Sequence, residues 1–517
     1  MTEAALGSAN VLPRHDGSTQ RELLFPAAVV AGACLLYLAV SLLVGRFAVT
    51  DEVAFKAAGR QWAAGTGFGA PELEGALDGV SPPVTTVYFL YPPAYPFSFG
   101  LWTRLFGFGP RQCMVFDAAI HVLLTVLTFA LAWRALSSLG HARRWWAVCA
   151  AVVLLPIGTV GRPDELAMSF GVLSLFFLLV PKPRAIHHAL AGLALGFCLG
   201  TSSGAAIATG SIAATLLVRP WDGLSRLLRR CLLVGVGAIL GVAIAVGPLL
   251  ASHPGAIEQY LMLSRFVSKN HGSIKEAWAD AWPHAAKYYT FLIGTLASGL
   301  LAATLAGTRK VWRVWASYAS GAFLYLLFLG VVLALRPTYT WFVGPWIAVT
   351  ALHTIALLAT TPGRRTRALL PIALLVAAWL SFAVHFVKET LVVMTLPASQ
   401  GLNAASACLR AAIPDGATVV TSDMWWFIAA RNRIYDPLFS HPHEGSVDYV
   451  ALSANGSGVP GRAAGLDTRI WNSSVTNRMI EVANNLPQQP TRVLGFRITN
   501  SAYGFGSIVY RVAPQRP

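Results

Sequence analysis

Charged residues and cysteines are both scarce in this chain. Asp, Glu, Lys and Arg together make up 12% of its 517 residues, whereas a soluble globular domain has about 25%. Hydrophobic residues account for 55%. This balance excludes an ordinary soluble domain and predicts a protein that crosses a membrane several times.

The six cysteines do not follow the spacing of a disulfide framework or of a metal site. Five of them lie in or beside apolar segments, and only Cys408 lies in the more polar C-terminal part. His121 and His353 also lie in apolar segments, which favours buried core histidines over metal ligands. Internal repeats of the kind that underlie many transporter folds are absent from the sequence as well.

Basic residues exceed acidic ones by 16, an excess that in a soluble protein would suggest a nucleic-acid partner. Here most of them lie in short loops between apolar segments, which is the pattern of the positive-inside rule. The basic loops lie at 141–144, 182–184, 226–230, 309–313 and 364–367. The charge therefore indicates membrane topology, and no nucleic acid is expected as a partner.

The apolar segments predict about eleven transmembrane helices, since a spanning helix needs about 20 apolar residues. The predicted spans are 23–46, 112–136, 145–160, 165–181, 189–203, 204–218, 231–251, 288–306, 314–334, 340–359 and 367–387. With the N-terminal tail inside, every basic loop falls inside and the C-terminal region falls outside. The two short spans between 189 and 218 are also compatible with one bent helix.

The segment 87–106 is apolar enough to be a further span. If it crossed the membrane, the basic loop 141–144 would lie outside, against the positive-inside rule. Pro92, Pro93 and Pro96 interrupt a helix in this segment. We therefore expect it to be juxtamembrane or re-entrant.

After residue 395 the apolar runs shorten to strand length and are separated by turn signals. The predicted strands are 417–421, 449–452, 492–496 and 507–510, with a helix at 424–431. The chain is thus divided into a cytoplasmic tail at 1–22, a transmembrane domain at 23–394 and a small extracytoplasmic α/β domain at 395–517. The first extracytoplasmic loop of the transmembrane domain is placed at 47–111.

Two acidic pairs fall on the same outer face in this topology. Asp51-Glu52 follows the first span, and Asp164-Glu165 follows another apolar run. A lone Asp just past a span is commonly a solvated interfacial residue, but carboxylates at a membrane boundary are costly and often mark a site. Two pairs on one face, together with the proline-rich segment that begins at Tyr91, favour a single catalytic pocket.

The order of these motifs resembles that of the GT-C glycosyltransferases. An acidic pair closes the first span, a Pro-Pro juxtamembrane element follows, and the motif Arg-Pro-Asp-Glu at 162–165 comes after a short third span. The chain is most similar to the branch that contains protein O-mannosyltransferases, lipid A aminoarabinose transferases and rhizobial galacturonosyltransferases, over residues 20–390. The resemblance implies a GT-C-like polytopic α-helical fold, a polyprenyl-phosphate sugar as donor and catalysis on the extracytoplasmic face.

The resemblance also implies roles for single residues. Asp51 would act as the base that hydrogen-bonds to the acceptor hydroxyl, while the leaving phosphate needs cations rather than a general acid. Arg336 ends an apolar span and is followed by Tyr339, at a place where family members contact the donor phosphate. A snorkelling interfacial Arg is the structural alternative. Relatives with a metal-binding second motif carry an Asp-x-Asp that this chain lacks, so no metal is implied. Four carboxylates near one pocket are nevertheless compatible with the binding of a divalent cation.

Glu52, Asp164 and Glu165 are the other candidate catalytic residues. Arg162 is a candidate substrate-binding residue, and an ion pair between Arg162 and Asp164 that only fixes the loop is the structural alternative. Glu165 also fits the first turn of a helix, where the helix dipole favours an acid.

Tyr91 and a basic, aromatic-rich outer stretch at 252–287 complete the candidate substrate-binding residues. Arg265, Lys269 and His271 in this stretch fit a loop that closes over a lipid phosphate, although an ordinary interfacial loop has the same composition.

Together these features predict an inverting, metal-independent glycosyltransferase in a bacterial inner membrane, with its C-terminus extracytoplasmic. It would take a lipid-linked sugar donor and a glycan, glycolipid or protein acceptor. A transporter or lipid flippase is the alternative, and it would be favoured by charges or broken helices near the middle of the spans. A membrane-anchored binding protein is a third possibility, but the acidic residues after residue 395 are dispersed.

Overall fold

The computed structural model describes the chain from residue 18 to residue 514, with gaps. The described ranges are 18–44, 52–75, 80–155, 161–218, 223–269, 274–332, 341–361, 363–394, 402–421, 424–436, 447–453, 478–484, 491–493, 496–498 and 507–514.

Most of these residues are helical. The helices are α1 Ser18–Val44, α2 Glu52–Ala63, α3 Ala94–Phe106, α4 Pro110–Ala135, α5 Arg143–Val152, α6 Pro163–Leu178, α7 Ala185–Leu199, α8 Ser203–Val218, α9 Leu224–Ser252, α10 Ile257–Lys269, α11 Ile274–Ala306, α12 Arg309–Val332, α13 Gly344–Thr360, α14 Leu369–Met394, α15 Leu402–Ala412 and α16 Trp425–Ile428. Each predicted span overlaps a helix, so hydropathy located the apolar helical segments. The span predicted at 145–160 is the exception in length, because α5 ends at Val152.

Four stretches in the described part of the chain are long and apolar enough to cross a membrane: Leu23–Leu42, Pro110–Ala135, Leu224–Ser252 and Trp341–Thr360. Shorter apolar helices occur at Ala185–Leu199, Ser203–Val218 and Thr290–Ala306. The protein is thus a multi-pass membrane protein, while the number of eleven spans stays a prediction. The stretch 189–218 forms two helices, α7 and α8, which are separated by a turn at 200–202.

The segment 87–106 contains only a 13-residue helix, α3. At 1.5 Å per residue this helix is about 20 Å long, which is too short for a bilayer core of about 30 Å. It packs against α2 through Gly59 and Gly100, where a Cβ on either residue would collide with the backbone or a side chain of the other helix. The segment therefore contains no helix long enough to span a bilayer, as the prolines indicated. Its juxtamembrane or re-entrant position stays a prediction, and the α2–α3 pair is named the juxtamembrane unit after it.

Helices α4 and α5 form a hairpin that leads away from this unit and back again. The N-terminal end of α4 contributes Asp117, which bonds to a residue of α2. The turn at 137–142 together with Arg143 and Arg144 forms the basic turn 137–144. After this turn α5 returns, so that the Leu154 carbonyl oxygen lies 3.1 Å from His121 of α4. The basic turn therefore lies at the far end of α4, which is 26 residues long, from the α2–α3 unit.

The C-terminal residues form a mixed five-stranded sheet and a separate hairpin. The strands are β1 Thr418–Val420, β2 Arg433–Tyr435, β3 Tyr449–Ser453, β4 Met479–Asn484, β5 Thr491–Val493, β6 Phe496–Ile498 and β7 Ser507–Val512. The sheet order is β2-β1-β3-β7-β4, and β5 pairs with β6. β1 is parallel to both β2 and β3, and β7 is antiparallel to both β3 and β4.

Several details of this region differ from the sequence prediction, and helix α15 was not predicted. The predicted strand 492–496 is part of the β5–β6 hairpin, and the predicted helix 424–431 is the four-residue helix α16. The strands β2 and β4 were not predicted. β2 is only three residues long, and β4 lacks the alternation of buried and exposed residues that marks a half-buried strand.

The C-terminal region shares a hydrophobic core with the juxtamembrane unit. This core contains Phe55 of α2 and Phe99 of α3 together with Trp425 and Trp426 of α16. Polar contacts join the same parts, since Arg60 donates to the Ala429 carbonyl at 3.0 Å. The sheet region is thus packed directly onto the helices that follow the first span.

Candidate active site

A buried cluster of charged side chains begins at the N-terminus of α2. The Lys56 ammonium group contacts Glu52, one turn earlier in α2, and lies 2.7 and 2.9 Å from the two carboxylate oxygens of Asp117 in α4. All three side chains are buried: the exposed fraction is 0% for Glu52 and Lys56 and 2% for Asp117. A lysine buried to this extent is stable as a cation only if it is paired, and the two carboxylates provide that pairing.

Tyr95 connects this cluster to the second acidic motif. Its hydroxyl lies 3.3 Å from Asp117 Oδ1 and 3.0 Å from the Gly161 carbonyl oxygen. Gly161 directly precedes Arg162, so the hydrogen bonds run from the start of α2 to the residues before α6. The two acidic motifs, separated by more than 100 residues in sequence, are therefore connected through Tyr95.

The second motif lies at the N-terminus of α6. Pro163 occupies the first helical position, where its missing N–H costs nothing, and Asp164 and Glu165 follow in the first turn, where the helix dipole favours acids. Arg162 Nε donates to Asp164 Oδ2 at 2.9 Å, and the Ser202 hydroxyl lies 3.3 Å from Asp164 Oδ1. The ion pair considered from sequence is thus present.

Aromatic rings bring the two motifs into direct contact. The Arg162 guanidinium lies 5.1 Å from the ring centre of Phe55 in α2, within cation–π range. The Phe55 ring in turn meets Tyr91 edge-on, with ring centres 4.6 Å apart. Arg162, Asp164 and Tyr91 therefore lie together beside the first turns of α2.

Glu165 contacts His121 of α4 inside the helical bundle. Its Oε1 lies 3.1 Å from His121 Nδ1, and His121 Nε2 lies 3.1 Å from the Leu154 carbonyl oxygen. A carbonyl only accepts, so Nε2 carries a hydrogen, and one further hydrogen is shared between Nδ1 and the carboxylate. The prediction that His121 is a satisfied core histidine is incomplete, because its partner is a residue of the acidic motif.

Helix α10 is fixed to the same region by a buried glutamine. The Gln259 amide nitrogen donates to the carbonyls of Pro82 at 2.7 Å and Val87 at 2.8 Å, and its oxygen accepts from the Phe89 N–H at 2.7 Å. The next residue, Tyr260, donates to Ser203 Oγ at 2.7 Å. The outer stretch 252–287 is thus joined to the segment that leads to Tyr91.

Several predicted site residues lie outside the described residues. These are Asp51, His271, Arg336 and Tyr339. Arg265 and Lys269 lie on α10, of which the backbone is described at these positions. Asp51 precedes Glu52, the first residue of α2, by one peptide bond.

Lys56, Asp117 and Tyr95 belong to the site but were not predicted. A signal existed for two of them: Glu52 and Lys56 have the i, i+4 spacing of a helical ion pair, and Asp117 is a carboxylate within an apolar helix, which indicates a functional or paired group. No group of three or more potential metal ligands occurs among the described residues.

No family model and no curated protein matches the sequence. Solved structures do match. The structure of ArnT from Cupriavidus metallidurans bound to undecaprenyl phosphate superposes with a TM-score of 0.54 at 13% identity, over 95% of this chain and 99% of ArnT. The apo structure of the same protein gives a TM-score of 0.50 at 14% identity, over 97% of this chain and 100% of ArnT.

The chain has the fold of ArnT. The coverage extends over nearly the full length of both chains, so the C-terminal region is included in the match. The resemblance to the GT-C superfamily that the motif order suggested is therefore confirmed at the level of the fold.

Proposed function

We propose that this protein is a membrane glycosyltransferase that transfers a sugar from a polyprenyl-phosphate donor to an acceptor on the extracytoplasmic face of the membrane. The observation that carries the proposal is the meeting of the two acidic motifs at the N-termini of α2 and α6, within a GT-C fold. The similarity to an ArnT structure that binds undecaprenyl phosphate supports the class of donor.

In the proposed reaction the acceptor hydroxyl attacks the anomeric carbon of the donor from the face opposite the phosphate. The new C–O bond forms as the bond to phosphate breaks, which inverts the configuration. Asp51, next to Glu52 at the start of α2, takes the proton of the hydroxyl. The polyprenyl phosphate leaves as an anion and therefore needs no general acid.

Cations at the membrane surface would stabilise the leaving phosphate. Arg336, Arg265 and Lys269 are the proposed groups, with Tyr339 and His271 beside them in sequence. Arg162 is oriented by Asp164 at 2.9 Å and would lie on the sugar side of the site, near Tyr91. No divalent cation is required in this scheme, because the fixed cations carry the charge.

A transporter is the less favoured alternative. It would need charged groups along a path through the spans, with two arrangements of the helices around them. Most of the described buried charges instead lie around the N-termini of α2 and α6. This arrangement fits a reaction at one face of the membrane.

Replacement of Asp51 by Asn tests the proposed chemistry. We expect Asp51→Asn to lower transfer by about 10²–10⁴-fold, the usual cost of losing a general base, while the amount of folded protein is unchanged. Envelope glycans and glycolipids are compared by mass analysis in cells that carry wild type, Asp51→Asn or no copy of the gene, and the acceptor so identified is used with the purified protein. The matched control is Asp415→Asn, because the Asp415 side chain is 75% exposed. An Asp51→Asn protein with the activity of Asp415→Asn would remove Asp51 from the reaction, and identical glycans and glycolipids with and without the gene would contradict a glycosyltransferase.

A further inference from the structure

Lys56 is the one buried lysine in the part of the chain that the structure describes. It belongs neither to the acidic motifs nor to the proposed donor cations. Its ammonium group contacts the carboxylates of Glu52 and Asp117, which come from two different helices. Two carboxylates that share one site repel each other unless a cation lies between them. Lys56 thus holds the first turn of α2 against α4.

Three aromatic rings enclose the same ammonium group. The ring centres of Phe99 and Phe116 lie 5.3 and 5.6 Å from Lys56 Nζ, and that of Trp426 lies 5.3 Å away. All three distances are within cation–π range, and such contacts strengthen when water is excluded. Trp426 belongs to α16, in the C-terminal region, whereas Phe99 and Phe116 belong to α3 and α4.

The C-terminal region is fastened to the same juxtamembrane unit by further polar contacts around Lys56. One turn after Lys56, Arg60 bonds to Glu72 at 2.5 Å and to the Ala429 carbonyl at 3.0 Å. Glu74 accepts hydrogen bonds from Arg433 at 2.7 Å and from Tyr435 at 2.6 Å. Trp426 is therefore held over Lys56 by the strands and helices on both sides of it.

We propose that Lys56 is a positioning residue, and that the C-terminal region acts on the catalytic centre by covering Lys56 with Trp426. The Lys56 ammonium sets the place of Glu52 and thereby of its neighbour Asp51, and Trp426 excludes water from the ion pairs that do so. A C-terminal region displaced from α2 would leave the base misplaced. This inference rests on the proposed glycosyltransferase function, and it gives the C-terminal region a part in turnover.

Four variants test this role with the full-length protein in lipid nanodiscs. Lys56→Met removes the ammonium but keeps the chain length, and Lys56→Arg keeps the positive charge. Trp426→Ala removes the cover, and Trp426→Phe keeps a ring. The matched control is Lys310→Met, since Lys310 lies exposed at the start of α12.

We expect Lys56→Met and Trp426→Ala to lower kcat per folded molecule by about 10²-fold, since a displacement of about 1 Å at a catalytic group has a cost of that size. The KM for the donor should stay unchanged, because the donor phosphate is bound elsewhere. Lys56→Arg and Trp426→Phe should each recover part of kcat, and Lys310→Met should equal wild type. A purely structural role for Lys56 predicts fewer folded molecules with the kcat of wild type, and that result would overturn the proposal. If Lys56→Met does not fold, the kcat per folded molecule of Trp426→Ala distinguishes the positioning role from the purely structural role in the same way.

Amide hydrogen exchange separates a failure of this inference from a failure of the proposed function. In Lys56→Met and Trp426→Ala, exchange should accelerate across residues 52–63 and stay unchanged in α7. Unchanged exchange across 52–63 in both variants would refute the positioning role whether or not the protein transfers a sugar. A wild-type protein without transferase activity would refute the function, and the exchange data alone would then decide the role of Lys56.

Discussion

At the scale of single residues, the two neighbouring acids of the second motif have different surroundings. Asp164 faces Arg162 and Ser202 at the start of α6. Glu165 faces His121, with which it shares one hydrogen inside the bundle. A carboxylate engaged in this way is poorly placed to take a proton from a substrate. We therefore interpret Asp164 as the group that orients Arg162, and Glu165 as the group that holds α6 to α4.

This difference predicts that Glu165→Gln is tolerated. A neutral His121 keeps its Nε2–H on the Leu154 carbonyl and accepts at Nδ1 a hydrogen from the introduced amide, so the hydrogen bond survives without a charge. We expect turnover per folded molecule to fall less than about tenfold, against about 10²–10⁴-fold for a lost base. By contrast, His121→Leu leaves a buried carboxylate without its imidazole and should lower the free energy of unfolding by about 3–5 kcal/mol. Thermal unfolding and turnover are measured for both variants. Loss of turnover in stable Glu165→Gln protein would place Glu165 in the reaction.

At the scale of helices, α7 and α9 approach each other unusually closely. Gly192 and Gly196 of α7 face Gly237 and Gly241 of α9, and a Cβ on any of the four would collide with a backbone carbonyl of the opposite helix. In a bilayer, where lipid is as apolar as the side chains, such close backbone packing is the main source of helix association. Helix α8 and the turn at Ser202–Ser203 lie between α7 and α9 in sequence. In this turn, Ser202 contacts Asp164 and Ser203 contacts Tyr260.

We therefore expect Gly196→Ala to destabilise the protein by about 1–3 kcal/mol, the usual cost of overpacking a well-filled interface. Gly235→Ala is the matched control, because the space around Gly235 on α9 is open. The control should leave stability unchanged or raise it by about 0.5–1 kcal/mol, since Ala favours a helix more than Gly does. Thermal unfolding of the two variants in the same nanodiscs checks this. Equal unfolding temperatures for Gly196→Ala and Gly235→Ala would show that the close packing of α7 against α9 does not stabilise the protein.

At the scale of the whole molecule, the site lies at one face of the helical bundle. The contact between Arg162 and Phe55 puts the N-termini of α2 and α6 at the same level. The α4–α5 hairpin puts the basic turn 137–144 at the opposite end of α4. This packing is compatible with the topology deduced from the basic loops, in which 87–106 does not span the membrane. The side of the membrane on which each end lies stays a prediction.

Cysteine labelling from each side of the membrane tests this topology. Single cysteines in place of Lys182, Arg229 and Arg365 should react only from the cytoplasmic side, in a background without the six native cysteines. Cysteines in place of Asp415 and Glu481 should react only from the extracytoplasmic side. All five positions are exposed, so a failure to react reflects sidedness rather than burial. If Lys182 and Asp415 were labelled from the same side, the single outer site would be wrong.

Hydropathy, charge and turn residues along the sequence by themselves determined where the long apolar helices lie, where β1, β3 and β7 lie and which acids are unusual. The acidic motifs could be recognised because Pro163 and the following acids have the properties of a helix N-terminus. These signals are local, because a helical or strand period is set by residues a few positions apart. The three-residue strand β2 escaped prediction because three residues contain too little of any period.

Only the tertiary structure decided which of these residues meet. Lys56 and Asp117 are 61 positions apart, and His121 and Glu165 are 44 apart. Trp426 reaches Lys56 from the far end of the chain. Such pairs depend on how the helices pack and on which buried charges need a partner, and neither property repeats along the sequence. The burial of Lys56 is what requires two carboxylates beside it, and burial is a property of the folded chain.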